Sequence, residues 1–292
     1  MRWACRERVF SPGERALVMG ILNVTPDSFS DGDRFFEPAA AIARGRQILD
    51  EGADLIDVGA ESTRPGSQPV PAAEQWRRLE PVIGALREDP RACLSVDTAD
   101  SVVAGRALAM GVEVINDISA LGDPRMGPVV AAARAGVVLM HMRGTPADMQ
   151  NAPRYGDAPA EVAAWLEERL EVAKAAGIAA EAIALDPGIG FGKTVEHNLD
   201  LLARISAVVS LGRPVLVGVS RKSFLGRLLD EAPVHERLEG GLAAAAIAVF
   251  EGATIVRTHD VAATVRAVRT AQAIRRRRPD AIGSLVPESP GA

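Results

Sequence analysis

The chain of 292 residues contains only two cysteines, Cys5 and Cys93. Two thiols are too few for a disulfide scaffold or a four-ligand structural zinc site, so we exclude both kinds of stabilising element. A cysteine content this low is compatible with a reducing compartment. We therefore expect a cytoplasmic protein.

The sequence also lacks an excess of positive charge. Lysine and arginine together number 33 against 38 acidic residues, which gives a formal net charge of −5 at pH 7. That balance argues against a general nucleic-acid-binding protein. The one basic run, arginines 275–278, ends a predicted helix, where cations interact favourably with the helix dipole on a solvated face.

No segment of the sequence is long and apolar enough to enter a membrane. Arginines interrupt the first ten residues, where an export signal needs an apolar run of about 7 to 15 residues. The most apolar stretch, 241–250, is about half of the roughly 20 residues that span a bilayer. We expect a soluble protein without a membrane partner.

What the sequence does contain is a repeated pattern of short apolar runs and longer amphipathic segments. The apolar runs predict eight strands, at 16–24, 54–59, 93–97, 113–118, 137–141, 183–186, 214–220 and 254–258. The segments between and after them predict eight helices, near 38–51, 72–88, 100–110, 126–135, 160–176, 196–210, 236–251 and 260–277. Eight alternating pairs favour an α/β fold of the TIM (βα)8 barrel type.

A doubly wound open sheet is the alternative, because periodicity cannot show that a sheet closes. The absence of a glycine-rich dinucleotide fingerprint after any strand weakens it. No linker rich in proline, glycine and serine divides the chain. We therefore predict a single barrel over 16–278, an N-terminal extension over 1–15 that covers the barrel bottom, and a loose tail over 279–292.

The predicted strands end in polar residues, which matters because barrel enzymes place their active sites at the C-terminal ends of the strands. Acceptor side chains follow four strands, at Asn23, Asp97, Asn116 and Asp186. Cationic side chains follow others, at Arg64, Lys222, Arg257 and His259. The pattern predicts a bipartite ligand, with a donor-rich heterocycle deep in the barrel and an anion such as phosphate nearer the lip.

Several other polar residues have more ordinary interpretations. Asn116 and Asp117 are adjacent, so only one can face the barrel mouth, and we choose Asn116 with Asp117 as a structural cap. Asp57 and His141 are interpreted as structural, and Arg221 as a partner in a salt bridge. Two long loops, 25–36 and 61–71, are predicted to close over the site.

Eight strings of residues resemble one family closely, in order along the chain. They are MGILNVTPDSFSDG, DVGAESTRPG, SVDT, INDIS, LMHMRGTPADMQ, LDPGIGFGK, VGVSRKSF and RTHD, and they match dihydropteroate synthases over about residues 16–275. The resemblance implies a (βα)8 barrel that joins 6-hydroxymethyl-7,8-dihydropterin pyrophosphate to p-aminobenzoate. The products would be 7,8-dihydropteroate and pyrophosphate, formed by a dissociative, Mg²⁺-assisted substitution in the folate pathway that sulfonamides block.

The resemblance also implies the roles of the site residues. The pterin would be bound by Asp97, Asn116, Asp186 and Lys222. The pyrophosphate would be bound by Asn23, Arg64, Arg257 and His259, with Asn23 helping to hold Mg²⁺. The p-aminobenzoate pocket would comprise Phe29, Thr63, Pro65, Phe191, Lys222 and Ser223. The catalytic set would be Lys222, Asp31, Arg64, Arg257 and His259, with Asp31 facing the pterin cation.

Family members are typically homodimers, and the segment GGLAAAAIAVF is apolar around most of its predicted helix, so we expect a homodimer contact there. Two other functions stay open. A methyltetrahydrofolate:corrinoid methyltransferase-like barrel would share the pterin anchors but leave the SRKS, RTH and TRP strings unexplained. A non-catalytic pterin-binding paralogue would show damage in its phosphate or arylamine residues, and none is apparent.

Overall fold

The computed structural model describes residues 1–25, 38–62 and 66–278. It begins with an antiparallel hairpin of β1 (Trp3–Cys5) and β2 (Arg8–Phe10). The barrel strands follow as β3 (Leu17–Asn23), β4 (Leu55–Gly59), β5 (Leu94–Asp97), β6 (Val114–Asp117), β7 (Gly136–Met140), β8 (Ile183–Asp186), β9 (Leu216–Gly218) and β10 (Ile255–Thr258).

The helices alternate with these strands and surround them. They are α1 (Pro38–Asp50), α2 (Ala72–Leu86), α3 (Ser101–Ala109), α4 (Met126–Ala133), α5 (Ala158–Ala175), α6 (Val195–Ala203), α7 (Ser206–Val209), α8 (Ser223–Leu228), α9 (Leu238–Glu251) and α10 (Val261–Arg275). No helix among the described residues has the length and apolar composition needed to cross a membrane.

The eight parallel strands close into a barrel. Their order is β8-β7-β6-β5-β4-β3-β10-β9, and every pair in that series is parallel. The remaining gap between β8 and β9 is bridged by Leu185 and Val215, with the amide of Leu185 donating to the carbonyl of Pro214 at 2.8 Å. The predicted (βα)8 barrel is confirmed, and the open sheet is excluded.

The lower half of the barrel interior is apolar and is plugged by the hairpin. Trp3 is fully buried there, and its indole Nε1 donates to the carbonyl of Ala182 at 3.0 Å, just before β8 begins. Arg6 and Arg8 donate to carbonyls at the same end of the barrel, at Leu108 and Ala92. These contacts close the end of the barrel opposite the strand C-termini.

Two helices differ from the sequence prediction. The segment predicted as one helix over 196–210 forms α6 and α7 with a break at Arg204, whose backbone leaves the helical region at φ −123° and ψ 35°. The break lets Ile205 and Val208 reach the core, where both are fully buried. The short helix α8 was not predicted, because its six residues are too few to show a helical period.

Candidate active site

The polar interior of the barrel begins one side-chain layer above the apolar plug. Leu55, Val114, Ala184 and Ile255 belong to the buried cluster inside the barrel. Alternate residues of a strand share a face, so the residue two positions further along also points inward. At those four positions the chain places Asp57, Asn116, Asp186 and Arg257.

A single guanidinium joins two carboxylates in this layer. Arg257 Nε donates to Asp57 Oδ2 at 2.6 Å, and its Nη2 donates to Asp97 Oδ2 at 2.8 Å. Asp57 Oδ2 also accepts from the side-chain amide of Asn116 at 2.9 Å. Three predicted site residues, Asp97, Asn116 and Arg257, therefore form one hydrogen-bonded network with Asp57.

Asp57 makes contacts that the sequence did not reveal. It lies inside β4 with no solvent exposure, and its carboxylate accepts from two predicted site residues, Asn116 and Arg257. A buried carboxylate must be paired, and the strand-end pattern drew attention only to the last residues of each strand. The available signal was its position two residues before Gly59, on the same face as the strand end.

Burial raises the pKa of Asp97 to about 7, although Arg257 stabilises its ionised form and opposes the shift. The neighbouring carboxylates of Asp57 and Glu61 raise it further. Asp97 lies directly opposite Asn116 in the parallel register of β5 and β6. The two acceptors that the sequence placed at neighbouring strand ends are therefore side by side.

Asp186 and Lys222 form the other half of the site. Asp186 Oδ1 accepts from the backbone amide of Gly188 at 2.7 Å. Lys222 Nζ donates to the carbonyl of Ile189 at 2.6 Å and lies 4.0 Å from the centroid of the Phe191 ring. Burial raises the pKa of Asp186, and the positive charge of Lys222 opposes that shift. Burial lowers the pKa of Lys222 to about 8.

Asp117 points away from this cavity. Its carboxylate accepts from the amide and hydroxyl of Ser119 and from the amide of Leu121, at 2.6 to 2.8 Å. It therefore caps the turn after β6, while Asn116 faces the interior. The alternation of adjacent strand residues separates a structural side chain from an inward-facing one.

The rim of the barrel carries His259 and Arg221. His259 Nδ1 lies 3.1 Å from Ser220 Oγ, which also accepts from the His259 backbone amide. Arg221 forms an ion pair with Asp260 at 2.6 Å. Asn23 ends β3, half-buried, beside Gly59. Ser223 is exposed at the first position of α8, immediately after Lys222.

Five predicted site residues lie outside the described part of the chain. They are Phe29, Asp31, Thr63, Arg64 and Pro65. The loop predicted over 25–36 also lies almost entirely outside the described residues. Of the second loop, Glu61 is described, and its carboxylate accepts from the Val70 amide and from the Gln75 side chain.

Comparison with known proteins decides the family. The family model described as "Pterin binding enzyme" matches residues 19–259. A dihydropteroate synthase of Escherichia coli K12 is 46% identical over 258 residues, covering 88% of this chain and 90% of that protein. The chain belongs to the dihydropteroate synthase family of pterin-binding enzymes.

Solved structures of this family superpose closely on the barrel. A dihydropteroate synthase of Xanthomonas albilineans with 4-aminobenzoic acid has a TM-score of 0.87 and 44% identity, and the match covers 98% of this chain and 99% of that one. A second structure from that organism, in complex with 7,8-dihydropteroate, has a TM-score of 0.84 and 41% identity over 98% of this chain and 100% of the other.

Membership of the dihydropteroate synthase family makes this chain an enzyme of the transferase class and confirms the resemblance found in its eight strings. Each of the eight strings includes residues at or next to the C-terminal end of a barrel strand. Among the described residues, no group of three or more histidine, cysteine, aspartate or glutamate side chains could hold a metal ion.

Proposed function

We propose that this chain condenses 6-hydroxymethyl-7,8-dihydropterin pyrophosphate with p-aminobenzoate to give 7,8-dihydropteroate and pyrophosphate. The observation that supports the proposal is the grouping of Asp97, Asn116, Asp186 and Lys222 at one barrel mouth, with Arg257 among them. These are the side chains of a site for a flat, donor-rich heterocycle. The solved relatives with 4-aminobenzoic acid and 7,8-dihydropteroate support the substrate class.

The pterin would lie against the two buried carboxylates. Its pyrimidine edge presents an amino group and a ring N–H, which one ionised carboxylate can accept together. Asp186 is the proposed anchor, since one of its oxygens is already oriented by the Gly188 amide. Asp97 and Asn116 would complete the edge, and Lys222 would donate to the ring carbonyl or a ring nitrogen.

Cationic side chains would bind the pyrophosphate. Arg64 and His259 are the proposed contacts near the lip, together with Arg257. Because Arg257 already bridges Asp57 and Asp97, it would connect the pterin anchor to the leaving group. Departure of pyrophosphate leaves positive charge on the electron-rich pterin, and preorganised charges that stabilise both fragments lower the barrier.

The second substrate needs orientation more than activation. An aromatic amine is neutral at pH 7, so the enzyme has to hold it in line with the exocyclic carbon of the pterin. The proposed pocket comprises Phe29, Thr63, Pro65, Phe191, Lys222 and Ser223. Asp31 would face the pterin cation once the first loop closes.

Mg²⁺ is part of this proposal. The Oδ1 of Asn23 lies 3.8 Å from the point where a Cβ on Gly59 would stand, and the Oδ2 of Asp97, which accepts from Arg257, lies at the same distance from that point. Oxygen donors of this kind suit Mg²⁺, which keeps few protein ligands and takes others from phosphate. Bound there, the ion would neutralise charge developing on the leaving group.

The decisive experiment measures pyrophosphate released when p-aminobenzoate is added to the enzyme with the pterin pyrophosphate and Mg²⁺. We expect release that depends on p-aminobenzoate, because its amine captures the pterin cation left when the C–O bond breaks and so allows turnover to continue. A methyltransferase acting on methyltetrahydrofolate would release none, and that result would refute the proposal. Lys222→Ala should weaken pterin binding about tenfold or more. Lys174→Ala, on an exposed lysine of α5, is the matched control.

We also propose that two copies associate through α9 and α10. These helices border an open groove of about 570 Å³, whose apolar lining includes Leu242, Ile247, Phe250, Ala263, Ala267 and Ile274. Ile247 and Ile274 are 54% and 57% exposed, and apolar patches of this kind mark interfaces. Light scattering should give a dimer for the parent chain and a monomer for Ile247→Glu. The cytoplasmic location stays a prediction.

A further inference from the structure

The loop that follows β8 is held by side chains at four successive carbonyl groups. The carbonyl of Ile189 accepts from Lys222, that of Gly190 from Gln150, that of Phe191 from Lys193 and that of Gly192 from Tyr155, at 2.6 to 3.0 Å. Loop carbonyls are ordinarily left to solvent. We call the segment 189–192 the carbonyl loop.

Lys193 is the buried member of this set. It is 3% exposed, and its Nζ lies 2.9 Å from the Phe191 carbonyl and 3.0 Å from His141 Nδ1. Burial lowers the pKa of His141 to about 3, so its ring is neutral and can accept from the amine through Nδ1. Lys193 therefore connects the end of β7 to the carbonyl loop.

The backbone at Gly188 and Gly190 packs closely against its neighbours. Gly188, at φ +67°, lies so near His141 that a Cβ would come within 1.9 Å of the His141 carbonyl oxygen. A Cβ on Gly190 would lie 2.9 Å from Cδ of Lys222. The loop is thus pressed against His141 on one side and against the Lys222 stem on the other.

The choice of lysine here is itself informative. The chain has only three lysines among its 33 basic residues, at 174, 193 and 222, and uses arginine at every other basic position. Arginine has a planar fork of five donors, whereas lysine has a compact head that fits between two single acceptors. Two of the three lysines contact the carbonyl loop.

We propose that Lys193, through its contacts with His141 and the Phe191 carbonyl, is a positioning residue that sets the place of the Phe191 ring beside Lys222. Lys193 binds no substrate in this arrangement. It fixes the backbone from which the Phe191 side chain extends, and the ring in turn lies 4.0 Å from Lys222 Nζ. The catalytic consequence rests on the proposed function, in which Phe191 is a wall of the arylamine pocket.

A test that needs no substrate uses lysine labelled with ¹³C. Three lysines give three sets of side-chain NMR signals. Variants that each lack one lysine assign these signals, because one set disappears in each variant. The ring current of Phe191 should change the chemical shifts of the Lys222 side chain, and we call this change the Lys222 displacement. We expect Lys193→Met to abolish that displacement, because Met fills the space but cannot donate to the Phe191 carbonyl. Lys174→Met should leave it unchanged.

Tyr155→Phe is the milder second variant, since it removes only the hydroxyl that donates to the Gly192 carbonyl. We expect it to reduce the Lys222 displacement in part. Full retention of the displacement in a folded Lys193→Met protein would overturn the proposal. If that variant does not fold, full retention in a folded Lys193→Met, His141→Leu double variant overturns it.

Kinetics then separate positioning from a merely structural role. Lys193→Met should raise the KM for p-aminobenzoate on the order of tenfold, and more than the KM for the pterin substrate. Phe191 is a wall of the arylamine pocket, whereas only two of the four proposed pterin ligands, Asp186 and Lys222, adjoin the loop. The double variant Lys193→Met, His141→Leu removes donor and acceptor together and should recover thermal stability. Recovery of the arylamine KM along with stability would contradict a positioning role. Absence of turnover in the parent chain would refute the proposed function and leave the labelling result to decide this inference.

Discussion

The binding of the pterin should depend on pH through two groups that flank it. The pKa of Asp97 is raised to about 7 and that of Lys222 is lowered to about 8, in each case chiefly by burial. The proposed complex needs Asp97 ionised, to accept N–H groups, and Lys222 charged, to donate. Both conditions hold best between pH 7 and 8, where we expect the affinity to be greatest.

The size of the change in affinity follows from the titration of one group on the acid side of the optimum and one group on the alkaline side. At one pH unit below its pKa, Asp97 is ionised in about a tenth of the molecules, so the dissociation constant should rise about tenfold per unit on the acid side. The same argument applies to Lys222 above pH 8. Calorimetric titration with the unphosphorylated dihydropterin alcohol measures this without interference from phosphate groups.

Two variants make the assignment specific. Asp97→Asn should bind the pterin more weakly and should no longer lose affinity as the pH falls below 7, the part of the profile that we call the acid limb. Asp117→Asn, on the adjacent strand but facing away from the cavity, should keep the acid limb. An acid limb that persists in Asp97→Asn would assign the titration to Asp186 and refute the reasoning for Asp97. If the affinity of the parent chain for the pterin does not change from pH 5.5 to 7.5, the reasoning is refuted for both Asp97 and Asp186.

The same raised pKa has a consequence for stability. The folded chain binds the Asp97 proton more tightly than the unfolded chain, so the contribution of this group is most favourable below about pH 4 and is lost as the pH rises to about 7. The slope is at most about 1.4 kcal/mol per pH unit in the free energy of unfolding. Denaturant titrations of the parent chain and of Asp97→Asn should differ in slope across this range.

Two further predictions compare the polar layer of the barrel interior with the apolar plug below it. Asp57→Asn removes the charge that holds Arg257 and should lower the free energy of unfolding, measured by denaturant titration, by about 3 kcal/mol. It should also weaken pterin binding, measured by calorimetry, about tenfold or more. Unchanged affinity would show that Asp57 only stabilises the fold. Trp3→Ala leaves a cavity in the barrel plug and should lower the free energy of unfolding by about 3 to 5 kcal/mol, while the affinity for the pterin is retained. A loss of pterin affinity of comparable size would contradict the separation of the two layers.

The strand pattern was predictable because buried parallel strands form continuous apolar runs. Seven of the eight strands lie within about one residue of their predicted bounds at most ends, and β9 is the exception. It was predicted over 214–220 but pairs only over Leu216–Gly218, because its contact with β8 is reduced to the single bridge at Val215. Closure of the barrel depends on that bridge, and no periodicity in the sequence reveals it.

The contents of the site were less predictable than its position. Strands buried on both sides are apolar at every position, so the sequence does not show which alternate residues face the barrel axis. The structure settles this through Leu55 and Ile255, which lie in the interior cluster and fix Asp57 and Arg257 as inward-facing. Lys193 ends the string LDPGIGFGK, but the sequence does not indicate its role, because its partners, His141 and the Phe191 carbonyl, meet only in the folded chain.

The layering of the barrel explains how so many ionisable groups can be buried together. Arg257 is shared by Asp57 and Asp97, and the positive charge of Lys222 acts on Asp186, so each of these three buried carboxylates has a cation near it. Below them the interior is apolar and closed by Trp3, which excludes water from that end. A ligand entering from the open end therefore meets preorganised charges in surroundings of low polarity, where each hydrogen bond is stronger than in water. Changes to the lower layer should consequently act on stability alone, and changes to the upper layer on affinity as well as stability.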